Sequence, residues 1–160
     1  MHASTEITVL QDYHRFHSPV DGRIGPMTYI SGNYYTVNPQ AIRTQLDVYG
    51  ENARKIVPID TPTFGRVFCV CVGAMMVGTI VTTLNEGDSV KRGQEFGYFA
   101  FGRLLTGSRD TEPNSCLGGS TIVTLFPKNT VQWDQDLLDN SATPLETLVR
   151  VGMRIGRKMV

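Results

Sequence analysis

The residues best equipped for chemistry in this chain are a hydroxyl behind two glycines and a pair of closely spaced histidines. In Leu117-Gly118-Gly119-Ser120-Thr121-Ile122 the glycines free the backbone for crowded or left-handed conformations. A hydroxyl nucleophile follows at once and leads into the apolar run Ile122 to Phe126. Where the Gly119 carbonyl is held within reach of the Ser120 oxygen, the peptide can rearrange to an ester; elimination and hydrolysis then leave a pyruvoyl group at position 120. Such a group condenses with a substrate amine and draws electrons from the α-carbon, the task elsewhere given to pyridoxal phosphate. The expected cofactor is therefore made by the chain itself, and no PLP is expected. Taken alone, Gly-Gly-Ser-Thr reads as a flexible turn before a strand, so the rest of the chain must decide.

The histidines are His14 and His17, in Asp12-Tyr13-His14-Arg15-Phe16-His17-Ser18-Pro19. Imidazole moves protons near neutrality, with an unperturbed pKa of roughly 6.5. The plain alternative is that one ring packs and the other faces water. A zinc site would need further ligands, and Cys69 and Cys71 are the candidates. In Phe68-Cys69-Val70-Cys71-Val72, however, they alternate as small apolar residues of a buried strand, so no metal is expected. Met75 and Met76, in Gly73-Ala74-Met75-Met76-Val77-Gly78, are by default core fillers; beside a lipid they offer an adaptable pocket lining.

Composition bounds the setting. The chain has 160 residues with 41% hydrophobic content, enough for a single domain with its own core. Fifteen basic residues balance fifteen acidic ones, so nothing in the overall charge points to nucleic acid. Three cysteines, two of them one residue apart, do not make a disulfide framework. The most apolar segment, Val67 to Val81, carries two glycines and falls short of the roughly 20 residues a spanning helix needs. No basic segment followed by an apolar one opens the chain, so a targeting signal is expected outside it.

The elements that must position these groups read as strands. Ile7 to Leu10, Asn33 to Val37, Ile56 to Ile59 and Gly65 to Val72 are β-branched or aromatic runs between turn formers, the last too apolar on both faces for an exposed edge. Gln40 to Arg43 reads as a helical turn, Tyr49 to Arg54 as a polar turn with Glu51 and Arg54 paired, and Trp133 to Leu138 as a turn or short helix. One pattern occurs twice: Val90-Lys91-Arg92-Gly93-Gln94-Glu95-Phe96-Gly97 and Val149-Arg150-Val151-Gly152-Met153-Arg154-Ile155-Gly156. This turn and strand repeat resembles the half-units of lipoyl and biotinyl carrier domains and hybrid β-barrels. It predicts a mainly β fold, β-rich α+β, compact and barrel-like, with turn and strand in the tail. None of the four lysines sits in the pairing a carrier-domain tip shows.

The whole set of motifs resembles the phosphatidylserine decarboxylases, most closely the eukaryotic type outside mitochondria. The resemblance rests on Asp12 to Pro19, Tyr34 to Pro39, Tyr49-Gly50-Glu51-Asn52, Val72 to Gly78, Val90-Lys91-Arg92-Gly93, Phe96-Gly97-Tyr98-Phe99 and Gly118-Gly119-Ser120-Thr121, and runs from about Leu10 to Gly156. It implies autocatalytic cleavage at Gly119-Ser120, giving a β chain (residues 1–119) and an α chain (residues 120–160) that begins with the pyruvoyl. It implies that His17 is the general base for self-cleavage, and that His14 assists in the decarboxylation pocket. It implies a zymogen converting phosphatidylserine to phosphatidylethanolamine and carbon dioxide. The partners expected are phospholipid at a membrane surface, the two cleaved chains held as a heterodimer, and further copies in a homo-oligomer. The expected location is peripheral on endosomal or Golgi membranes, with the mitochondrial inner membrane as alternative. Relatives carry an aspartate upstream of the histidine pair that orients the base, and this chain begins after it, so a catalytic domain incomplete at its N-terminus is expected. Relatives also join Phe-Gly directly to Gly-Ser-Thr, so residues 103–118 read as an inserted loop. The alternatives are a decarboxylase of a free aromatic amino acid, a non-catalytic β module that does not mature, and a Ser120-His17 hydrolase.

Overall fold

Strand-forming residues dominate the described part of the chain, which in this computed structural model is residues 4–8, 14–37, 42, 44–75, 77–101, 120–143 and 145–159. The first strands are β1 (Ser4–Thr8), β2 (Arg15–His17), β3 (Gly22–Ile24) and β4 (Thr28–Ile30). A short helix α1 (Val48–Glu51) follows, capped where the Asp47 carboxylate accepts the Gly50 N–H at 2.9 Å. Next come β5 (Arg54–Thr61), β6 (Gly65–Val72), β7 (Val77–Thr82), β8 (Ser89–Val90) and β9 (Glu95–Phe101). The chain finishes with β10 (Thr121–Leu125), β11 (Val131–Trp133), helix α2 (Gln135–Ser141) and β12 (Gly156–Lys158).

Every ladder between these strands is antiparallel. The largest sheet has seven strands along the path β1-β10-β6-β5-β3-β8, with β4 also paired to β5; β2-β9-β7 form a second sheet and β11-β12 a third. The mainly β architecture is thus present, and among the described residues the sheets do not close into a barrel. Pro58 lies inside β5, where a missing N–H is costly. It is tolerated because β4 pairs with residues 54–56 and β3 with residues 59–60, so Pro58 falls between them.

The core forms where the second sheet packs on the first. Phe16 of β2 meets Phe96 and Phe99 of β9 edge to face, with centroids 4.8 and 5.1 Å apart. Around them lie Ile24, Val57, Ile59, Val67, Cys69, Cys71 and Ile122 from the large sheet. The alternation in β6 puts Val67, Cys69 and Cys71 on this buried face. Burial pushes the Cys69 thiol up to about 12, although Thr124 offers it a hydrogen bond, and burial holds Cys71 well above its ordinary value too.

The repeated sequence pattern is realised as a repeated turn. Gly93 and Gly152 both take positive φ, 78° and 89°, as the third residue of a turn needs when an L side chain would be strained there. In each turn the fourth residue donates its N–H to the first carbonyl: Gln94 to Lys91 and Met153 to Arg150, both at 2.9 Å. The tail is turn and strand, as expected.

Two local expectations are corrected. Residues 33–37 form no strand ladder; Asn33 makes one isolated parallel bridge to Asn52, because the segment lies along the end of α1 instead of beside a strand. Arg54 does not pair with Glu51: its guanidinium donates to the carbonyls of Gly50 (2.7 Å) and Asn52 (3.1 Å), which the helix end leaves open. Of the remaining expectations, Met76, Gly119, the inserted loop 103–118 and most of the turn at 40–43 lie outside the described residues.

Candidate active site

Ser120 stands one residue before β10. The strand that follows, Thr121-Ile122-Val123-Thr124-Leu125, is β-branched or apolar throughout and is inserted between two neighbours: Thr121 lies opposite Thr8 of β1 and Val72 of β6. That insertion buries what immediately precedes it. Ser120 is 1% exposed, and its Oγ is the one buried side-chain polar atom among the described residues with no hydrogen-bond partner. A hydroxyl removed from water without a partner is costly, and such an exception calls for an explanation, a catalytic role being one.

Continued by one residue, the register sets Ser120 opposite Gly73, which follows β6. Gly73 leaves little room for a side chain: a Cβ there would lie 3.1 Å from the Tyr34 ring and 3.2 Å from the Ala53 carbonyl, so one of them would have to give. Beyond it Met75 is 52% exposed, so this methionine is an open surface and no core filler. Tyr34 and Tyr29 close the same corner with their hydroxyls 3.4 Å apart, which pushes the Tyr34 phenol up.

The histidines belong to the other sheet. His14 precedes β2, and its main-chain carbonyl accepts the Phe99 N–H at 2.8 Å. His17 ends β2 just after a register shift between Phe16 and His17, a device that re-aims a side chain by breaking the alternation. Its Nδ1 lies 2.8 Å from the Gly93 carbonyl. Because a carbonyl only accepts, Nδ1 carries the proton and Nε2 is the basic nitrogen of the neutral ring. Ser120 Oγ makes no hydrogen bond, so the structure does not join it to either imidazole, and the serine and the histidines sit at the ends of strands of different sheets.

The support for His17 is a set of contacts that reading the sequence missed. Gly93 N–H donates to the Ser18 carbonyl at 2.8 Å, Ser18 N–H to the Gln94 carbonyl at 2.9 Å, and Arg92 N–H to the Asp21 carboxylate at 2.8 Å. Arg15 forks onto Glu95 with both distances 2.8 Å, tying β2 to β9. The turn at 91–94 is therefore fastened to residues 17–21. The one sequence signal for this was the repeated Val-basic-x-Gly pattern, which marked a turn without naming what it holds.

The site's residues fit the expected prosthetic group in one testable respect: an orphaned, buried hydroxyl at position 120 is the precursor a self-made carbonyl needs. Among the described residues no group of three or more His, Cys, Asp or Glu side chains converges as a metal site would require.

Comparison with known proteins adds the last observation. The family model for phosphatidylserine decarboxylase matches residues 6–103, which include both histidines and end before Ser120. Phosphatidylserine decarboxylase proenzyme 3 of Schizosaccharomyces pombe is 55% identical over 149 residues, covering 93% of this chain and 14% of that protein. Phosphatidylserine decarboxylase proenzyme 2 of Saccharomyces cerevisiae is 51% identical over 146 residues, covering 91% of this chain and 11% of that protein. The bacterial phosphatidylserine decarboxylase proenzyme of Fusobacterium nucleatum is 39% identical over 147 residues, 92% of this chain and 44% of its own length. The chain thus spans less than half of each of these relatives.

Proposed function

Because this chain belongs to the phosphatidylserine decarboxylase family, we propose that it is the self-cleaving catalytic region of such an enzyme. The product of cutting at Gly119-Ser120 acts on the serine headgroup of phosphatidylserine and releases phosphatidylethanolamine and carbon dioxide. The observation that carries this reading is the Ser120 hydroxyl, buried and without a hydrogen-bond partner at the head of a strand.

Self-cleavage needs only the chain's own atoms and one water. The Ser120 Oγ attacks the Gly119 carbonyl carbon, and His17, whose Nδ1 proton is committed to Gly93 and whose ring must first come within reach from the other sheet, accepts the hydroxyl proton at Nε2. The carbon–nitrogen bond breaks, the proton goes to the departing amine, and an ester joins Gly119 to the Ser120 oxygen. Removal of the Ser120 α-proton expels the Gly119 carboxylate and leaves a dehydroalanine; water then replaces its nitrogen, which departs as ammonia. The pyruvoyl so formed supplies an electron sink for the carboxylate-bearing carbon of an amine substrate. His14 handles the proton that carbon must regain, and exposed Met75 offers the lipid an adaptable apolar surface.

The Gly93 carbonyl fixes the tautomer of the His17 imidazole and, being uncharged, does not itself stabilise an imidazolium. After the cut the two pieces stay together, since β10 of the short α chain is hydrogen-bonded on both sides to strands of the longer β chain. No helix among the described residues is long and apolar enough to cross a membrane, which suits attachment at a membrane surface. Endosomal or Golgi membranes and a homo-oligomer of cleaved chains complete the proposal.

Denaturing electrophoresis with intact mass measurement tests it. The expected result is division after Gly119, with the downstream fragment lighter than its seryl form by one ammonia and resistant to Edman degradation. Ser120→Ala is expected to give a single uncut band. An intact seryl residue at 120 in a preparation that still decarboxylates phosphatidylserine overturns the proposal; an uncut chain without activity favours the non-catalytic module.

A further inference from the structure

Asn52 is the most completely engaged polar side chain near Ser120, and no step of the proposed chemistry uses it. It is 0% exposed, at the end of α1. Its Oδ1 accepts the Tyr35 N–H at 2.8 Å, and its two amide protons go to the Tyr35 carbonyl and the Gly73 carbonyl, each at 2.8 Å. Both donors are therefore spent on main-chain oxygens. The Gly73 N–H donates to the Ala53 carbonyl at 2.8 Å. Both polar main-chain atoms of Gly73 are thus committed on the β5 side, away from β10.

We propose that Asn52 is a positioning residue for the Ser120 site, holding the Gly73 carbonyl toward β5 so that the Ser120 hydroxyl, one strand across in register, stays without a partner. The inference rests on the self-cleavage reading and deepens it. Gly73 has no side chain to anchor it, and regular pairing of β6 ends at Val72. Its carbonyl belongs to the residue that the register, continued by one, sets opposite Ser120, and Asn52 holds it toward β5. Released from Asn52, it is expected to turn toward the serine and take the hydroxyl proton in a resting hydrogen bond. That bond must break before the oxygen can attack Gly119, so an engaged hydroxyl is a slower nucleophile.

The test compares the unsubstituted chain with Asn52→Leu, similar in size without hydrogen bonds, and Asn52→Asp, which sets an acceptor against the two carbonyls. Cleavage is timed on the folded fraction, well below each melting temperature. A slowing of about ten-fold or more is expected in both variants, given how steeply such reactions depend on placement. Hydroxylamine attacks the ester carbonyl and speeds any chain that has reached the ester; it is expected to leave the variants slow, because the shift from nitrogen to oxygen is the impaired step. A structural role alone moves folding and not this pattern. In a Ser120→Ala background, which cannot cleave, amide exchange at residues 72–75 is expected to quicken about ten-fold in Asn52→Leu while β5 keeps its protection. A folded Asn52→Leu chain that cleaves at the unsubstituted rate, or that hydroxylamine restores, overturns the proposal. If the unsubstituted chain never cleaves, the self-cleavage reading fails instead, and unchanged exchange at 72–75 then overturns the assignment of Asn52 by itself.

Discussion

The turns at Lys91–Gln94 and Arg150–Met153 have the same backbone closure and the same left-handed glycine, yet they do different work. The first is preceded by buried Val90, clamped by Ser18 and Asp21, and presents the Gly93 carbonyl to His17. The second stands in the open: Val151 and Met153 are 59% and 53% exposed, and the thioether of Met153, not a carboxamide as in Gln94, receives the N–H of the first turn residue. Local sequence specifies a turn; what the turn is for depends on which segment lies across from it. The difference lies in tertiary contact, since the local hydrogen bonds are alike.

Substitutions at matched positions separate these contributions. Gly93→Val and Gly152→Val both place a β-branched residue at positive φ, a local cost of about 1–2 kcal/mol each. At Gly93 the clamp is lost as well, adding roughly 1 kcal/mol per broken hydrogen bond. Urea denaturation should therefore rank Gly93→Val well below Gly152→Val, and only the former should slow self-cleavage. Equal losses in both would show that the clamp contributes nothing. Val90→Ala is next: removing two buried methyl groups costs about 2 kcal/mol, against less than half that for half-buried Val149→Ala, read from the same melts. Asp21→Ala removes one exposed carboxylate-to-amide bond that the second turn lacks, for about 1 kcal/mol, and should slow self-cleavage less than Gly93→Val does, timed by denaturing electrophoresis.

The smallest effect calibrates the rest from outside both turns. The hydrogen bond from Arg66 lowers the Asp60 carboxyl below its ordinary pKa. The stability this contributes is present above the ordinary carboxylate range and is lost as pH falls through the lowered folded value. The pair is on the surface, so the difference between the parent and Asp60→Asn in urea midpoint should be slight at pH 6, shrink toward pH 3, and be abolished by salt.

The large sheet was legible in the sequence because alternation and β-branching agree there: Ile56 to Ile59 and Gly65 to Val72 fall inside β5 and β6. The segment at 33–37 has the same composition and forms no ladder, since α1 and Asn52 occupy the place a partner strand would need. Ser120 and the histidines were legible as residue types, and their motifs were legible as a resemblance to the family that the relatives bear out. What holds them was not legible. Gly93 reaches His17 across 76 positions through a main-chain oxygen, and Asn52 reaches Gly73 across 21 by the same means; main-chain acceptors carry no side-chain signature.

The burial of Ser120 bears on the fate of whatever terminus maturation creates there. A new chain end usually emerges into solvent, where exopeptidases trim it and transferases modify it. This one would arise 1% exposed, with its first residue leading straight into a strand paired on both flanks. Under the proposed cleavage such an end would be sheltered from trimming, and a small reductant aimed at the proposed carbonyl would have to wait for that end of the sheet to open.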